Sequence, residues 1–119
     1  MTRNRASAKK AGTSFERLVA NHLAEHVDDR IDRRVKTGAA DKGDIAGLRI
    51  HGQRVILECK SVTKLALGTW VREAEVERGN DDAIAGWVVH KRRGTTDPGD
   101  QYVTGTLRDL IAIITGRQT

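Results

Sequence analysis

Two carboxylates and one ammonium group stand out in this sequence because of their spacing. Asp44 is followed by thirteen residues and then by Glu58, Cys59 and Lys60. Carboxylates held close together repel each other, but they can share a divalent cation as oxygen ligands. If Glu58 and Lys60 lie on one strand they share a face, because side chains alternate with a period of two. A metal site beside a fixed positive charge is suited to hydrolysis of a phosphodiester bond, in which Lys60 would orient or polarise the attacking water or hold the phosphate.

The register of a predicted β-hairpin decides whether these side chains meet. Residues 45–50 and 54–60 are predicted to form two strands, joined by a three-residue loop at 51–53 with a central glycine. This register places Asp44 opposite Lys60 and puts both carboxylates and the lysine on one face. A slip of one residue would separate them.

Ordinary ion pairing is the alternative interpretation of these charges, with Lys60 pairing Asp44 across a solvent-facing hairpin. Val55, Leu57 and Cys59 alternate with the charged residues, however, so the second strand is expected to be nearly buried. Charges in such a strand are costly unless they are paired or bound to a metal. The pattern therefore favours the metal site.

Glu16 has two competing interpretations. Thr13 has the position of a helix N-cap, and Glu16 three residues later would complete a capping box. Glu16 could instead be delivered by this first helix to the mouth of the metal site as a further ligand of metal or water. The helix is predicted to end near residues 27–29, and residues 1–12 are predicted to be a basic flexible tail before a single domain at 13–119.

The rest of the chain alternates between strand and helix signals. The predicted order is α-β-β-β-α-β-β-α, which indicates an α/β fold with a central mixed β-sheet flanked by α-helices. The remaining predicted elements are a β-capable stretch at 30–37, a loop at 38–43, a helix at 70–78 capped by Thr69, a strand at 83–90, a loop at 91–100 and a short strand at 101–104.

A last helix is predicted after Thr106, which serves as its N-cap, and Gly116 ends it. Its apolar residues recur at helical spacing, so we expect that face to point inward. The residues predicted to face the core are Leu107, Leu110, Ile111 and Ile114.

Composition favours a polyanionic partner. The formal net charge is +5, and nucleic acid is the commonest ligand of a basic domain. One cysteine excludes an internal disulfide and a zinc site built on several cysteines. No apolar run could span a bilayer and no signal-peptide pattern opens the chain, so we expect no membrane association and a cytoplasmic location. The residues predicted to contact DNA are Arg3, Arg5, Lys9, Lys10, Arg33, Arg34, Lys36, Lys42, Lys91, Arg92 and Arg93.

A zinc-peptidase motif is a competing signal in the first helix. His22, Glu25 and His26 form the pattern H-x-x-E-H. His22 falls on the apolar stripe of the helix, where a histidine is usually a core residue, and no third ligand is evident downstream. We therefore reject the zinc interpretation.

The residues around the acidic pair resemble the PD-(D/E)xK nuclease superfamily. The resemblance rests on Phe15-Glu16 in the first helix, Gly43-Asp44-Ile45 in a strand and Glu58-Cys59-Lys60 in the next, and it covers residues 13–90. It is greatest with Holliday junction resolvases of the archaeal type and their small actinobacterial-phage relatives. Gly43 stands where a proline gives the superfamily its name.

The resemblance implies a restriction-endonuclease-like fold and cleavage of branched DNA by a homodimer, with Mg²⁺ as the cofactor and Mn²⁺ as a substitute. For a phage protein the location would be the host cytoplasm. Asp44 and Glu58 would bind the metal, and Cys59 would add its main-chain carbonyl. Glu16 would support the site, and Lys60 would assist the attack.

Two other functions stay open at this point. A repair or restriction-like nuclease of the same superfamily would act on duplex DNA. A non-catalytic nucleic-acid-binding module would use the carboxylates only in structural ion pairs.

Overall fold

A computed structural model of the chain describes residues 4–35, 38 and 40–119. Arg3 and Lys36, two of the predicted DNA-binding residues, lie outside this part. The helices are α1 (Arg5–His26), α2 (Leu67–Asn80) and α3 (Leu107–Thr115). The strands are β1 (Asp32–Arg33), β2 (Ile45–Ala46), β3 (Arg49–Ile50), β4 (Gln53–Lys60), β5 (Ala85–His90) and β6 (Tyr102–Thr104).

A four-stranded mixed sheet in the order β3-β4-β5-β6 forms the centre of the molecule. β4 and β5 are parallel, whereas the two outer pairings are antiparallel. β1 and β2 form a separate antiparallel ladder. The predicted α/β class, with a central mixed sheet flanked by helices, is confirmed.

Helices cover both faces of the sheet. On one face Phe15 of α1 lies in a buried cluster with Leu57 and Val89. On the other face Trp70 of α2 packs with Val88. Because side chains alternate along β4, the residues at even positions point toward α2 and those at odd positions toward α1.

The prediction that the first helix begins after Thr13 was wrong. α1 begins at Arg5, and its N-cap is Asn4, whose side chain accepts a hydrogen bond from the Ser7 amide at 2.8 Å. Residues 5–12 are rich in alanine, lysine and arginine, which are good helix formers. The helix therefore extends toward the N-terminus as far as its cap at Asn4. Most of the predicted flexible tail is therefore helical.

The register predicted for the hairpin was also wrong. Its turn holds two residues, His51 and Gly52, with φ of 52° and 72°. Two positive φ values are typical of the two-residue turns whose twist matches that of paired strands. Ile50 consequently pairs with Gln53.

The predicted strand at 45–50 is split in two. β2 pairs with β1, and β3 pairs with β4. Gly47 separates them with φ of 88°, and a Cβ built there would lie 3.1 Å from the Arg30 carbonyl oxygen. Asp44 thus precedes β2 and does not pair with Lys60.

The second helix begins earlier than predicted. α2 starts at Leu67, so Thr69 lies inside its first turn, and the N-cap Ala66 makes no side-chain capping hydrogen bond. The helix ends at Asn80, two residues after the predicted end at residue 78. The helix buries Trp70 and Ala74 against the sheet.

The limits of the last helix are confirmed, but its orientation was wrong. Thr106 accepts a hydrogen bond from the Asp109 amide, and Gly116 ends the helix with a left-handed conformation. The residues that α3 buries are Asp109 and Ala112. The four residues predicted to face the core are exposed instead, namely Leu107, Leu110, Ile111 and Ile114.

Candidate metal centre

β4 places Glu58 and Lys60 on the sheet face that α2 covers. They pair in parallel register with Val88 and His90 of β5. The predicted common face of the two residues is confirmed.

A glycine brings Asp44 beside them by a route different from the predicted one. Gly43 has φ of 90°, a value that proline cannot adopt, and a Cβ at this position would lie 3.0 Å from Ile56 Cγ2. The Asp44 amide donates to the Leu57 carbonyl at 3.1 Å, and Asp44 Oδ2 accepts from the Cys59 amide at 2.8 Å. Glycine is required at position 43 because the backbone passes so close to β4 that little room is left for a Cβ.

Two carboxylates that the sequence did not single out join this group. Carboxylate oxygens of Asp41, Glu58 and Glu77 all lie within 4.8 Å of one another. Asp44 adjoins this acidic cluster through a hydrogen bond with Glu58. The candidate metal centre is therefore formed by Asp41, Asp44, Glu58 and Glu77, and it includes the predicted acidic pair.

Glu77 could have been found from the helical periodicity. Trp70, Ala74 and Glu77 follow one another at i, i+4 and i+7, so an acid lies on the buried stripe of α2. Asp41 carries no comparable signal, because it lies in an irregular loop. Asn80 fixes that loop to the end of α2 by donating to the Asp41 carbonyl at 2.8 Å.

The electrostatics of the centre are those of carboxylates held together out of water. Burial raises the pKa of Glu58 far above its usual value, and hydrogen bonds with Asp44 and Glu77 raise it further. Burial also raises the pKa of Glu77, although the hydrogen bond with Glu58 opposes this shift. Glu77 Oε2 is buried without a hydrogen-bond partner in the described part of the chain. A set of hard oxygen donors with one unsatisfied buried oxygen fits Mg²⁺ or Mn²⁺.

Lys60 provides a positive charge next to the carboxylates. Its Nζ forms an ion pair with Glu73 Oε2 of α2 at 2.9 Å. Burial acts to lower the pKa of Lys60, but the hydrogen bond to Glu73 and the charges of Glu58 and Asp44 outweigh it, so the pKa is raised. Lys60 is thus a cation at neutral pH.

Glu16 does not have the capping role that was one of its two interpretations, since α1 begins eleven residues earlier. Its Oε1 pairs with Arg33 Nη2 of β1 at 3.3 Å. Its charge also contributes to raising the pKa of Cys59, after the larger effects of burial and of Asp44. Glu16 therefore lies on the α1 side of β4, near Cys59, and its catalytic role stays a prediction.

Cys59 points its backbone toward Asp44. Its amide donates to Asp44 Oδ2, and in a strand the N–H and C=O of one residue point to the same edge. The Cys59 carbonyl is therefore directed to the Asp44 side of β4, as a main-chain ligand would require.

Some of the predicted DNA-binding cations are occupied within the fold. Arg33 pairs with Glu16, and Arg34 Nη2 lies 3.4 Å from Asp81 Oδ2. Among the other predicted DNA-binding cations, the side chains that are exposed are those of Arg5, Lys9, Lys10, Lys42, Arg92 and Arg93.

An open cleft of about 770 Å³ begins where β4 and β5 end. Ser61 and Lys91, which follow these strands, line it, and the Lys91 amide donates to the Lys60 carbonyl at 2.9 Å. Arg92 lies over the Tyr102 ring at 5.0 Å from its centre. This basic cleft, lined by residues 61–63, 65, 90–96 and 102, combines cations, hydroxyl groups and an aromatic ring next to Lys60.

The H-x-x-E-H pattern forms no metal site. The rings of His22 and His26 contact each other at 4.4 Å between centres. Within residues 4–35, 38 and 40–119, the acidic cluster at Glu58 is the single group of three or more potential ligands in reach of one ion.

Comparisons with protein-family models, curated proteins and solved structures gave no match to this chain. Among the described residues, no helix has the length and apolar character needed to cross a membrane.

Proposed function

We propose that this protein is a metal-dependent DNA endonuclease that hydrolyses phosphodiester bonds in branched DNA, as a Holliday junction resolvase does. One observation carries the proposal: carboxylate oxygens of Asp41, Glu58 and Glu77 lie within 4.8 Å of one another. Asp44 adjoins them, and the cationic Lys60 immediately precedes Ser61, which lines the basic cleft. Burying several acids together costs stability, and a bound divalent cation compensates for that cost.

The four acids of the centre, Asp41, Asp44, Glu58 and Glu77, would hold Mg²⁺, with the Cys59 carbonyl as a further ligand. The ion would lower the pKa of a water molecule and neutralise charge on the phosphate oxygens. Lys60 remains protonated because its pKa is raised. It therefore acts as a fixed cation that holds a phosphate oxygen or the attacking water, and not as a general base.

The basic cleft gives the DNA strand a path past the centre. Lys91, Arg92 and Arg93 would contact phosphates, and Tyr102 offers a ring surface for a base that is not fully stacked. Contacts of this kind read the shape of DNA more than its sequence. Recognition by shape favours a branched substrate. We further propose that the protein acts in the cytoplasm and as a homodimer.

Substitution of the acidic pair tests the proposal. We expect purified Asp44→Asn and Glu58→Gln to lose at least about 100-fold in cleavage rate with Mg²⁺, because each removes a charged ligand. DNA binding measured in Ca²⁺ should be retained. The matched control is Glu25→Gln, which removes an exposed carboxylate from α1.

The substrates distinguish the rival functions. Four-way junction, nicked and linear DNA are compared with the wild-type protein across an Mg²⁺ titration. Equal rates on junction and linear duplex would replace the resolvase with a repair or restriction-like nuclease. Binding without product on any substrate would identify a non-catalytic module, and full cleavage by either variant would refute the assignment of the acids.

A further inference from the structure

Lys60, the cation next to the candidate metal centre, has an acidic partner that does not belong to that centre. Its Nζ donates to Glu73 Oε2 of α2 at 2.9 Å. Along α2, Glu73 lies three residues after Trp70 and four before Glu77, so it borders the buried stripe of the helix. The ion pair thus joins β4 to α2 on the sheet face that carries the acidic cluster.

The charge of Glu73 opposes the role proposed for Lys60. An ammonium group has three N–H donors, so the hydrogen bond to Glu73 alone leaves room for another acceptor. A carboxylate at 2.9 Å, however, cancels much of the attraction that Lys60 exerts on a phosphate, and it also repels the phosphate directly. A phosphate oxygen and the Glu73 carboxylate therefore compete for the same cation.

The exposure of the pair allows one acceptor to replace the other. The side chains of Lys60 and Glu73 are 25% and 44% exposed, so both are in contact with water. Ion pairs in such positions add little to the stability of a fold. The packing of α2 on the sheet depends instead on Trp70 and Ala74, which are buried with Val88. The Lys60–Glu73 pair can therefore open without disturbing that packing.

We propose that Glu73 is a positioning residue that acts through Lys60: it holds the ammonium group beside the centre and gives it up when a phosphate of the DNA arrives. The inference rests on the proposed function, because it takes DNA as the ligand of the basic cleft. Glu73 reduces the affinity for DNA, since a strand that reaches Lys60 has to replace an existing ion pair. The contact with Lys60 then forms only where the cleft and the metal hold the neighbouring phosphates.

DNA binding measured without cleavage tests the proposal. Fluorescence anisotropy with a labelled four-way junction in Ca²⁺, at about 150 mM salt, gives the affinity of each variant. Glu73→Gln should bind about 3- to 10-fold more tightly than the wild type, because a carboxylate no longer competes with the phosphate. In a Lys60→Gln background the same change should lose most of this gain, since no ammonium group is left to release. Glu73 is exposed, so the fold should be retained, which circular dichroism would check.

Asp100→Asn is the matched control. Asp100 is exposed and lies two residues before Tyr102 of the basic cleft, so the change removes the same charge beside the cleft and leaves the Lys60–Glu73 pair intact. Salt screens exposed charges at a distance, and the gain in affinity should stay below about 2-fold.

The outcomes separate this inference from the proposed nuclease activity. A gain in affinity that depends on Lys60 supports the role of Glu73 even if the protein cleaves no DNA. No gain in Glu73→Gln, a gain that persists without Lys60, or an equal gain in Asp100→Asn would each overturn it. If none of the variants binds DNA, the role of Glu73 and the proposed function are both refuted.

Discussion

Glu77 is buried on a helix stripe that is otherwise apolar. Its Oε2 has no hydrogen-bond partner among the described residues, and its neighbours Glu58 and Asp44 are also acids. Without a cation this arrangement is unfavourable, because each carboxylate loses hydration and gains repulsion. The same arrangement becomes favourable when one ion is shared. Removing the charge of Glu77 should therefore raise the stability of the metal-free protein and lower its affinity for a metal ion.

Glu77→Gln separates these two effects. We expect the free energy of unfolding in EDTA to rise by about 1–2 kcal/mol, since an unsatisfied buried oxygen and its charge are removed. The affinity for Mn²⁺, measured by calorimetry, should fall by about 10–100-fold. Glu25→Gln should change neither quantity. Equal Mn²⁺ affinity in the two variants would exclude Glu77 from the centre.

At the scale of the elements, periodicity predicted which residues share a strand but not how the strands meet. The period of two along β4 placed Glu58 and Lys60 together correctly. The position of Asp44 depends on the length of the turn at His51 and Gly52 and on the backbone conformation of Gly43. Both features depend on contacts with residues that are distant in the sequence. The orientation of α3 depends on long-range hydrogen bonds at both of its ends, from the Gly86 amide to Asp109 and from the side chains of His51 and Gln53 to carbonyls near its C-terminus. The apolar stripe of α3 therefore did not tell which side of the helix the fold buries.

Gly43 is the element-scale feature that fixes Asp44, and Gly43→Ala tests it. Positive φ costs an alanine about 1–2 kcal/mol, and the new Cβ would also press on Ile56 Cγ2 at 3.0 Å. Gly38→Ala is the control, because Gly38 also has positive φ but nothing within 4 Å of a Cβ. In urea unfolding we expect Gly43→Ala to lose at least about 1 kcal/mol more than the control. Equal losses of unfolding free energy in the two variants would show that the contact between residue 43 and β4 does not affect stability.

At the scale of the whole molecule, the net charge is +5, but the positive side chains differ in how many are available to a ligand. Arg33 and Arg34 are engaged in internal ion pairs, whereas the basic cleft keeps cations near the candidate centre. If the cleft is the DNA path, location matters more than total charge. A change in the cleft should weaken DNA binding more than the same loss of charge elsewhere.

Replacing Lys91, Arg92 and Arg93 together by glutamine examines this point. We expect the affinity for a four-way junction in Ca²⁺ to fall at least about 10-fold near 150 mM salt, because each cation releases counterions when it contacts a phosphate. The slope of log affinity against log salt should decrease by about 2–3. The control replaces Arg49, Arg108 and Arg117, three exposed cations that do not line the cleft. If both triple variants lose affinity and slope equally, DNA binds through diffuse charge, and the cleft is not the path that leads a strand to Lys60.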